Sequence, residues 1–397
     1  MHSMNHHLAK RIMSVCLWSL VVAAADALPQ ASRQGTDVVS IWRTPDGGLQ
    51  PQAVVDSAGG LHLIYFKGAP SAGDIFYVHR SPRDTAFSAP VRVNSQPGSA
   101  VAVGSVRGAH IAAGREGRVH IAWMGSRDAL PKGPENATPM LYARSNNKRT
   151  AFEAQHNVVQ FAAGLDGGGS VAADDKGNVY VAWHAGAEGG GEESRRMWVA
   201  RSADDGETFG REVPASDAAT GACGCCGMRA FADRDGTLYM LYRAATKGVD
   251  RDMYLVRSND NGRSFRSTRL HAWRLEACPM STASISEGVG ETLLAWETNG
   301  QVYYSRVGRK TSEAAPPVPA PGEGLRRKHP AVIANSEGKT IFLWTEKTGW
   351  KKGGSVAWQV FDESGRPTAE KGVADGVPAW SLVTAYALPG GRFAIIY

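Results

Sequence analysis

Apolar and polar residues alternate along much of the chain, and the alternating runs come in pairs. A first run leads through a turn containing Asp or Gly into a second run that ends on an aromatic residue. Seven such pairs follow one another: Pro51–Phe66, Gly108–Trp123, Gly169–Trp183, Met228–Tyr242, Ser281–Trp296, Pro330–Trp344 and Leu382–Tyr397. A period of two marks β-strands, because successive side chains point to opposite faces of a sheet. A third strand follows each of the first five pairs, at Ile75–His79, Met140–Arg144, Met197–Arg201, Met253–Arg257 and Gln301–Arg306. A short fourth strand completes most units, as at Ser88–Asn94 and Glu153–Val159.

The units recur at about 50 to 60 residues, a period in the range of propeller blades. Four short antiparallel strands at that period predict an all-β chain, a β-propeller of four-stranded blades. Runs such as Leu238–Tyr242 are apolar on both faces, as a blade packed between two neighbours requires. The pairs count seven blades, or six if one is miscounted. The last copy stops at Tyr397 after two strands, and Asp37–Arg43 is the segment expected to complete it. Pairing N-terminal with C-terminal strands in one blade closes the ring and removes the sheet edges. No segment sustains a helical period, which excludes helical bundles and parallel α/β folds.

Composition adds compartment and excludes some partners. Lys10 and Arg11 precede an apolar segment, Ile12–Ala25, and Ala25-Asp26-Ala27 fits a small-x-small cleavage site. Residues 1–27 are therefore expected to be a secretory signal, too short to anchor in a bilayer, with residues 37–397 forming a single exported propeller domain. No later apolar run reaches membrane length. The net charge is +6, but the basic groups Arg195-Arg196, Arg326–Lys328 and Lys351-Lys352 are scattered. Nucleic-acid binding would want a continuous basic stripe with interleaved aromatics, so no nucleic-acid partner is expected.

One short motif repeats after the third strands. Ser202, Asp204, Gly206, Thr208 and Phe209 match S-x-D-x-G-x-T-F, and Ser258, Asp260, Gly262, Ser264 and Phe265 match it with Ser for Thr. Ser145–Phe152 and Ser81–Phe87 are degenerate copies. The carboxylate can accept turn amides, glycine takes the positive φ, and the aromatic plugs the gap between sheets. These are Asp-boxes, and the chain resembles the sialidase-like (Asp-box, BNR-repeat) propeller superfamily over residues 37–397. The resemblance implies a propeller in which the boxes are structural turns remote from the ligand face.

A sialidase-type hydrolase of that superfamily implies three arginines holding a carboxylate, a Tyr–Glu nucleophile pair and an Asp acid/base. The register of the first arginine reads Leu49-Gln50-Pro51, with proline matching and arginine absent; Arg43 lies upstream of it. The register of the tyrosine reads Trp380-Ser381, and Tyr386 stands out of register. Arg107, Arg229 and Trp380 remain as candidate ligand-binding residues near the starts of inner strands. Acidic residues crowd the expected loops (Asp128, Asp166, Glu188, Glu192, Glu193) without forming a motif. The catalytic set is not assigned. A sialidase-type exo-hydrolase of acidic sugars and a non-catalytic protein-interaction scaffold stand as alternatives.

The unrepeated feature is Cys223-Gly224-Cys225-Cys226. In blade register, Cys226 and Cys278 each stand ten residues before a turn glycine, Gly236 and Gly288, and Met228 and Met280 stand eight before. His329 stands nine before Gly338. Inner strands therefore begin with soft or metal-capable side chains in three successive blades, on the rim opposite the Asp-box turns. Cys223, Cys225, Cys226 and Cys278 are expected to form disulfides in an exported chain, or, with Met228, Met280 and His329, to bind Cu(I) or Zn. The expected function is a rim that binds a soft metal, or a carbohydrate, small ligand or protein.

Overall fold

The computed structural model describes residues 34–186, 190–309, 311, 313–324 and 326–397. The expected signal sequence and Glu188 lie outside the described residues. The chain forms seven sheets of four strands each, arranged as the blades of a propeller. Blade 1 is Leu49–Val55, Leu61–Ala69, Ala72–Arg80 and Val91–Arg92. Blade 2 is His110–Ala113, Val119–Met124, Met140–Arg144 and His156–Asn157. Blade 3 is Gly169–Ala173, Val179–Ala185, Arg196–Ser202 and Val213–Pro214. Blade 4 is Arg229–Ala232, Leu238–Arg243, Met253–Ser258 and Arg266–His271. Blade 5 is Ser284–Glu287, Glu291–Thr298, Gln301–Gly308 and Val318–Pro319. Blade 6 is Arg327–Ala334, Thr340–Glu346, Gly354–Phe361 and Pro367–Val377.

Blade 7 closes the ring. Thr384–Leu388 and Arg392–Ile396 come from the C-terminus, and Val39–Trp42 and Gln34–Gly35 come from the N-terminus. Val39–Trp42 runs parallel to Arg392–Ile396, with Val39 opposite Phe393 and Trp42 opposite Ile396. The direction follows from connectivity. The N-terminal strand must finish on the face where the inner strand of blade 1 begins, at Leu49, and only the parallel direction delivers it there.

Apolar clusters lie between all adjacent blades, so each sheet is buried on both faces. The aromatic that ends the second strand is the largest piece of several clusters: Trp123, Trp183 and Trp296 are each fully buried. Burying such a side chain contributes about 1.5–3 kcal/mol.

Two inner strands start with an irregularity that simple alternation misses. Blades 1 and 6 slip register at Gln50-Pro51 and His329-Pro330. Proline has no N–H to give the ladder, so the residue before it bulges out, with Gln50 at φ 52° and His329 at φ 50°. The sequence pattern places the start of blade 6 at Pro330; the strand begins three residues earlier, at Arg327.

The Asp-boxes are turns at the end opposite the inner-strand starts. Asp204 accepts from the Ser202 hydroxyl at 2.6 Å, the Thr208 amide at 3.0 Å and the Thr208 hydroxyl at 2.5 Å. Asp260 makes the same set with Ser258 and Ser264. Gly206 and Gly262 hold φ of 81° and 76°, the left-handed region in which a side chain is strained. Phe209 meets Tyr142 of blade 2 edge-on, with centroids 4.9 Å apart. Asp205 then reaches the blade 2 hairpin turn, 2.6 Å from Arg118, so the box also ties neighbouring blades.

Candidate functional site

The face bearing the inner-strand starts collects the loops that enter each blade and those that join its second and third strands. The cysteine loop enters blade 4 there as a tight turn. Cys226 N–H donates to Cys223 O at 3.4 Å, Cys223 N–H to Arg243 O at 2.9 Å, and Gly227 N–H to Ser281 O at 3.0 Å. Gly224 leaves room for the Arg195 guanidinium: a Cβ there would sit 1.9 Å from Arg195 Nη1, which would have to shift. The Gly224 N–H donates to Glu192 Oε1 at 2.8 Å.

This turn gathers the sulfurs. Cys223 Sγ lies 3.4 Å from Cys225 Sγ and 3.3 Å from Cys226 Sγ, and all three residues are buried. A disulfide would need about 2.05 Å, so these are separate thiols. Cys278, exposed on the loop entering blade 5, brings its sulfur to a second group with Cys225 and Glu192. In each group the ligand atoms all lie within 4.8 Å of one another, and Cys225 belongs to both. Met280 packs against the cluster from the blade 5 loop.

Electrostatics single out Cys226. Its burial opposes ionisation, but hydrogen bonds from the Cys223 and Cys225 thiols, the positive charge of Arg243 and a backbone bond at Ser281 hold it well below an ordinary thiol. Cys225 is pushed up, by its bonds to Cys223 and Cys226 and by burial. Thiol donors and a nearby arginine thus favour ionisation of Cys226 over that of Cys225.

Other expected site residues sit in different places. Met228 faces the apolar core between blades 3 and 4. His329 lines the channel, its Nδ1 3.2 Å from the Thr282 hydroxyl, and joins neither sulfur group among the described residues. Arg107 donates to Asp166 through Nε (backbone O, 2.7 Å) and Nη2 (Oδ1, 2.7 Å). Arg229 reaches into the channel and bonds Gln52 at 2.9 Å. Trp380 meets the exposed Trp350 edge-on at 4.6 Å. Tyr386 is buried between blades 7 and 1, accepting from Arg80 at 3.1 Å.

The motif search missed a chain of charges along this rim. Asp166 is 3.7 Å from Arg195, Arg195 is 3.6 Å from Glu192, and Glu192 is 2.6 Å from Arg251. The i,i+3 spacing of Glu192 and Arg195 was the available signal, but their alignment with Asp166 and Arg251 depends on three different loops. A second feature was equally hidden. A Cβ on Gly104 would lie 2.9 Å from Met280 Cε, 3.1 Å from Arg107 Nη1 and 3.5 Å from Trp350. The loop between blades 1 and 2 therefore touches loops of blades 5 and 6 and lies across the channel mouth.

No family model matches the sequence, and no curated protein matches it. Solved structures do resemble it. A Hadza microbial sialidase superposes with a TM-score of 0.51 at 15% identity, over 80% of this chain and 70% of that one. A protein of unknown function from Dyadobacter fermentans superposes with a TM-score of 0.51 at 12% identity, over 86% of this chain and 98% of that one. These likenesses show a shared propeller fold. In this propeller the rim carries a sulfur cluster, a charge chain and a loop spanning the mouth.

Proposed function

We propose that this is an exported sialidase-like propeller that binds a soft metal ion, Cu(I) or Zn(II), through the cysteines of its channel rim. The observation that carries the reading is the convergence of the Cys223, Cys225 and Cys226 sulfurs, with Cys278 beside Cys225. Tetrahedral Zn–S bonds of about 2.3 Å space sulfurs at about 3.8 Å, so the cluster need open only by tenths of an ångström. Thiolates with a nearby thioether, Met280, equally suit Cu(I). Both Glu192 oxygens are already engaged, by Gly224 and Arg251, which favours an all-sulfur site over a mixed one. Arg243 and Arg251 offset the negative charge that several thiolates bring. Residues 1–27 act as the export signal, and the mature domain is the propeller.

Elemental analysis of the purified mature protein with a thiol count under native conditions tests this. One equivalent of metal, with the buried thiols silent until a chelator is added, is expected. No metal together with no free thiols would sink the proposal. The hydrolase alternative is the weaker reading: the blade 1–2 loop spans the mouth, Tyr386 is buried between blades, and Leu49 stands where an arginine is needed. Turnover of a generic aryl sialoside is expected to be absent.

A further inference from the structure

We infer that the central channel, just below its rim, binds a small oxyanion on Arg229: sulfate, phosphate or a short carboxylate. The site is separate from the sulfur cluster and does not depend on the metal. The channel encloses about 680 Å³ and is lined by the inner strands of all seven blades. Arg229 begins the inner strand of blade 4, and its Nη1 donates to Gln52 of blade 1, so the side chain spans the channel.

That bond engages only one nitrogen. Arg229 Nε is buried with no hydrogen-bond partner, and Nη2 makes none among the described residues. The Nε–Nη2 edge is the one that takes two oxygens of a carboxylate, sulfate or phosphate side by side. Gln52 fixes the opposite end of the guanidinium and leaves this edge free.

Arg229 is half-buried, and its partners differ from those of the fully buried arginines. Arg251 meets Glu192 at 2.6 Å and Arg327 meets Glu346 at 3.2 Å. Arg243 spends its donors on the carbonyls of Arg251 and Glu297. Arg229 has one neutral amide. Burial alone draws its pKa down to about 10, with no carboxylate opposing the shift, so it stays charged at neutral pH. A partly desolvated charge whose buried Nε lacks an acceptor is unfavourable, and a bound anion offsets that penalty.

The rest of the channel cannot supply the counterion. Its carboxylates sit at the hairpin-turn end and are engaged or solvated there. Asp56 faces His62 at 3.0 Å, Asp174 accepts from Asn178 at 2.7 Å, and Asp233 accepts from the Thr237 amide at 2.8 Å. Glu287 pairs with Arg234 at 2.6 Å, and Asp175 is exposed. Arg229 has His110 as a polar neighbour, held to Ser170 at 2.7 Å, and His329, held to Thr282, lines the same channel. Burial keeps both imidazoles neutral, helped by Arg229 at His110 and by Lys328 at His329. One fixed cation among neutral hydrogen-bonding groups suits a single compact anion. The loop across the mouth limits the occupant to something small.

The test is isothermal titration of the mature protein with sulfate, phosphate and acetate, against sodium chloride at equal ionic strength. Thermal melts are recorded in parallel. At least one oxyanion is expected to bind saturably and raise the Tm, and the tightest of the three identifies the class. Arg229→Gln should weaken that binding at least tenfold while melting no lower than wild type in oxyanion-free buffer. Arg229→Lys keeps the charge without the fork and should bind with intermediate affinity; it also serves if Arg229→Gln fails to fold. Absence of saturable binding by all three oxyanions would overturn the inference, as would undiminished affinity in either variant.

Discussion

The two ends of the propeller are built on opposite principles. At the turn end, the repeated box carboxylates have their partners within a few residues: Asp204 and Asp260 are saturated by the hydroxyls and amides of their own boxes. At the rim end, the notable groups are unlike from blade to blade and are brought together from loops distant in sequence. Cys225 meets Cys278, Arg107 meets Asp166, and Gly104 meets Met280. Repetition with local satisfaction makes a scaffold. Singular residues converging from several loops make a site. The difference predicts that damage to the turn end is read in stability, and damage to the rim in what the protein binds.

The largest separation of these effects should come from Cys226→Ser. Bound metal is expected to fall from one equivalent to near zero, while sheet content by circular dichroism stays at the wild-type value. Retained metal at full stoichiometry would remove Cys226 from the ligand set. The converse substitution, Asp204→Ala, deletes an acceptor of three hydrogen bonds and should cost about 1–2 kcal/mol, the scale of losing a helix-cap acceptor. Its metal content should not change. Combined with Asp260→Ala, in the next blade, the losses should add in denaturant unfolding, since the two boxes share no partner.

The location of these two carboxylates also sets an acid limit. Burial would raise the pKa of Asp204, but bonds from Ser202 and Thr208 prevail and hold it at about 2; bonds from Ser264 act likewise at Asp260. A depressed folded pKa stabilises above the unfolded value, 3.8, and the contribution is lost as pH falls through the folded one. Stability should therefore decline between about pH 4 and pH 2, and Asp204→Ala should flatten that decline. An unaltered acid limb in the variant would contradict the assignment.

The smallest effect tests the geometry of the rim. Cys278 is exposed while Cys223, Cys225 and Cys226 are buried. In metal-free reduced protein one thiol should react rapidly with a disulfide reagent and three slowly. Cys278→Ser should remove the fast phase and leave metal stoichiometry intact if the inner three sulfurs suffice.

How much of this could be read from residues alone follows the same division. The blades were legible because a strand and an Asp-box are local: alternation, a turn glycine and a plugging aromatic lie within some twenty residues. Seven blades and N-to-C closure followed from the same repetition, although the parallel direction of Val39–Trp42 depends on where the chain must go next. The blade register placed Cys226 and Cys278 at neighbouring positions of successive blades, and the structure brings Cys278 to Cys225. Register does not fix side-chain direction, however. Met228 points into the core between blades, while Met280, at the equivalent position but with φ 49°, turns to the rim. His329 is carried by a proline bulge into the channel. The Asp166–Arg195–Glu192–Arg251 chain left no periodic trace, because its members meet only after three loops have been placed.

X-ray absorption at the edge of the bound metal tests the central claim most directly. The account predicts a first shell of three or four sulfurs at about 2.3 Å, lost in Cys226→Ser. A shell of nitrogen and oxygen alone would contradict it.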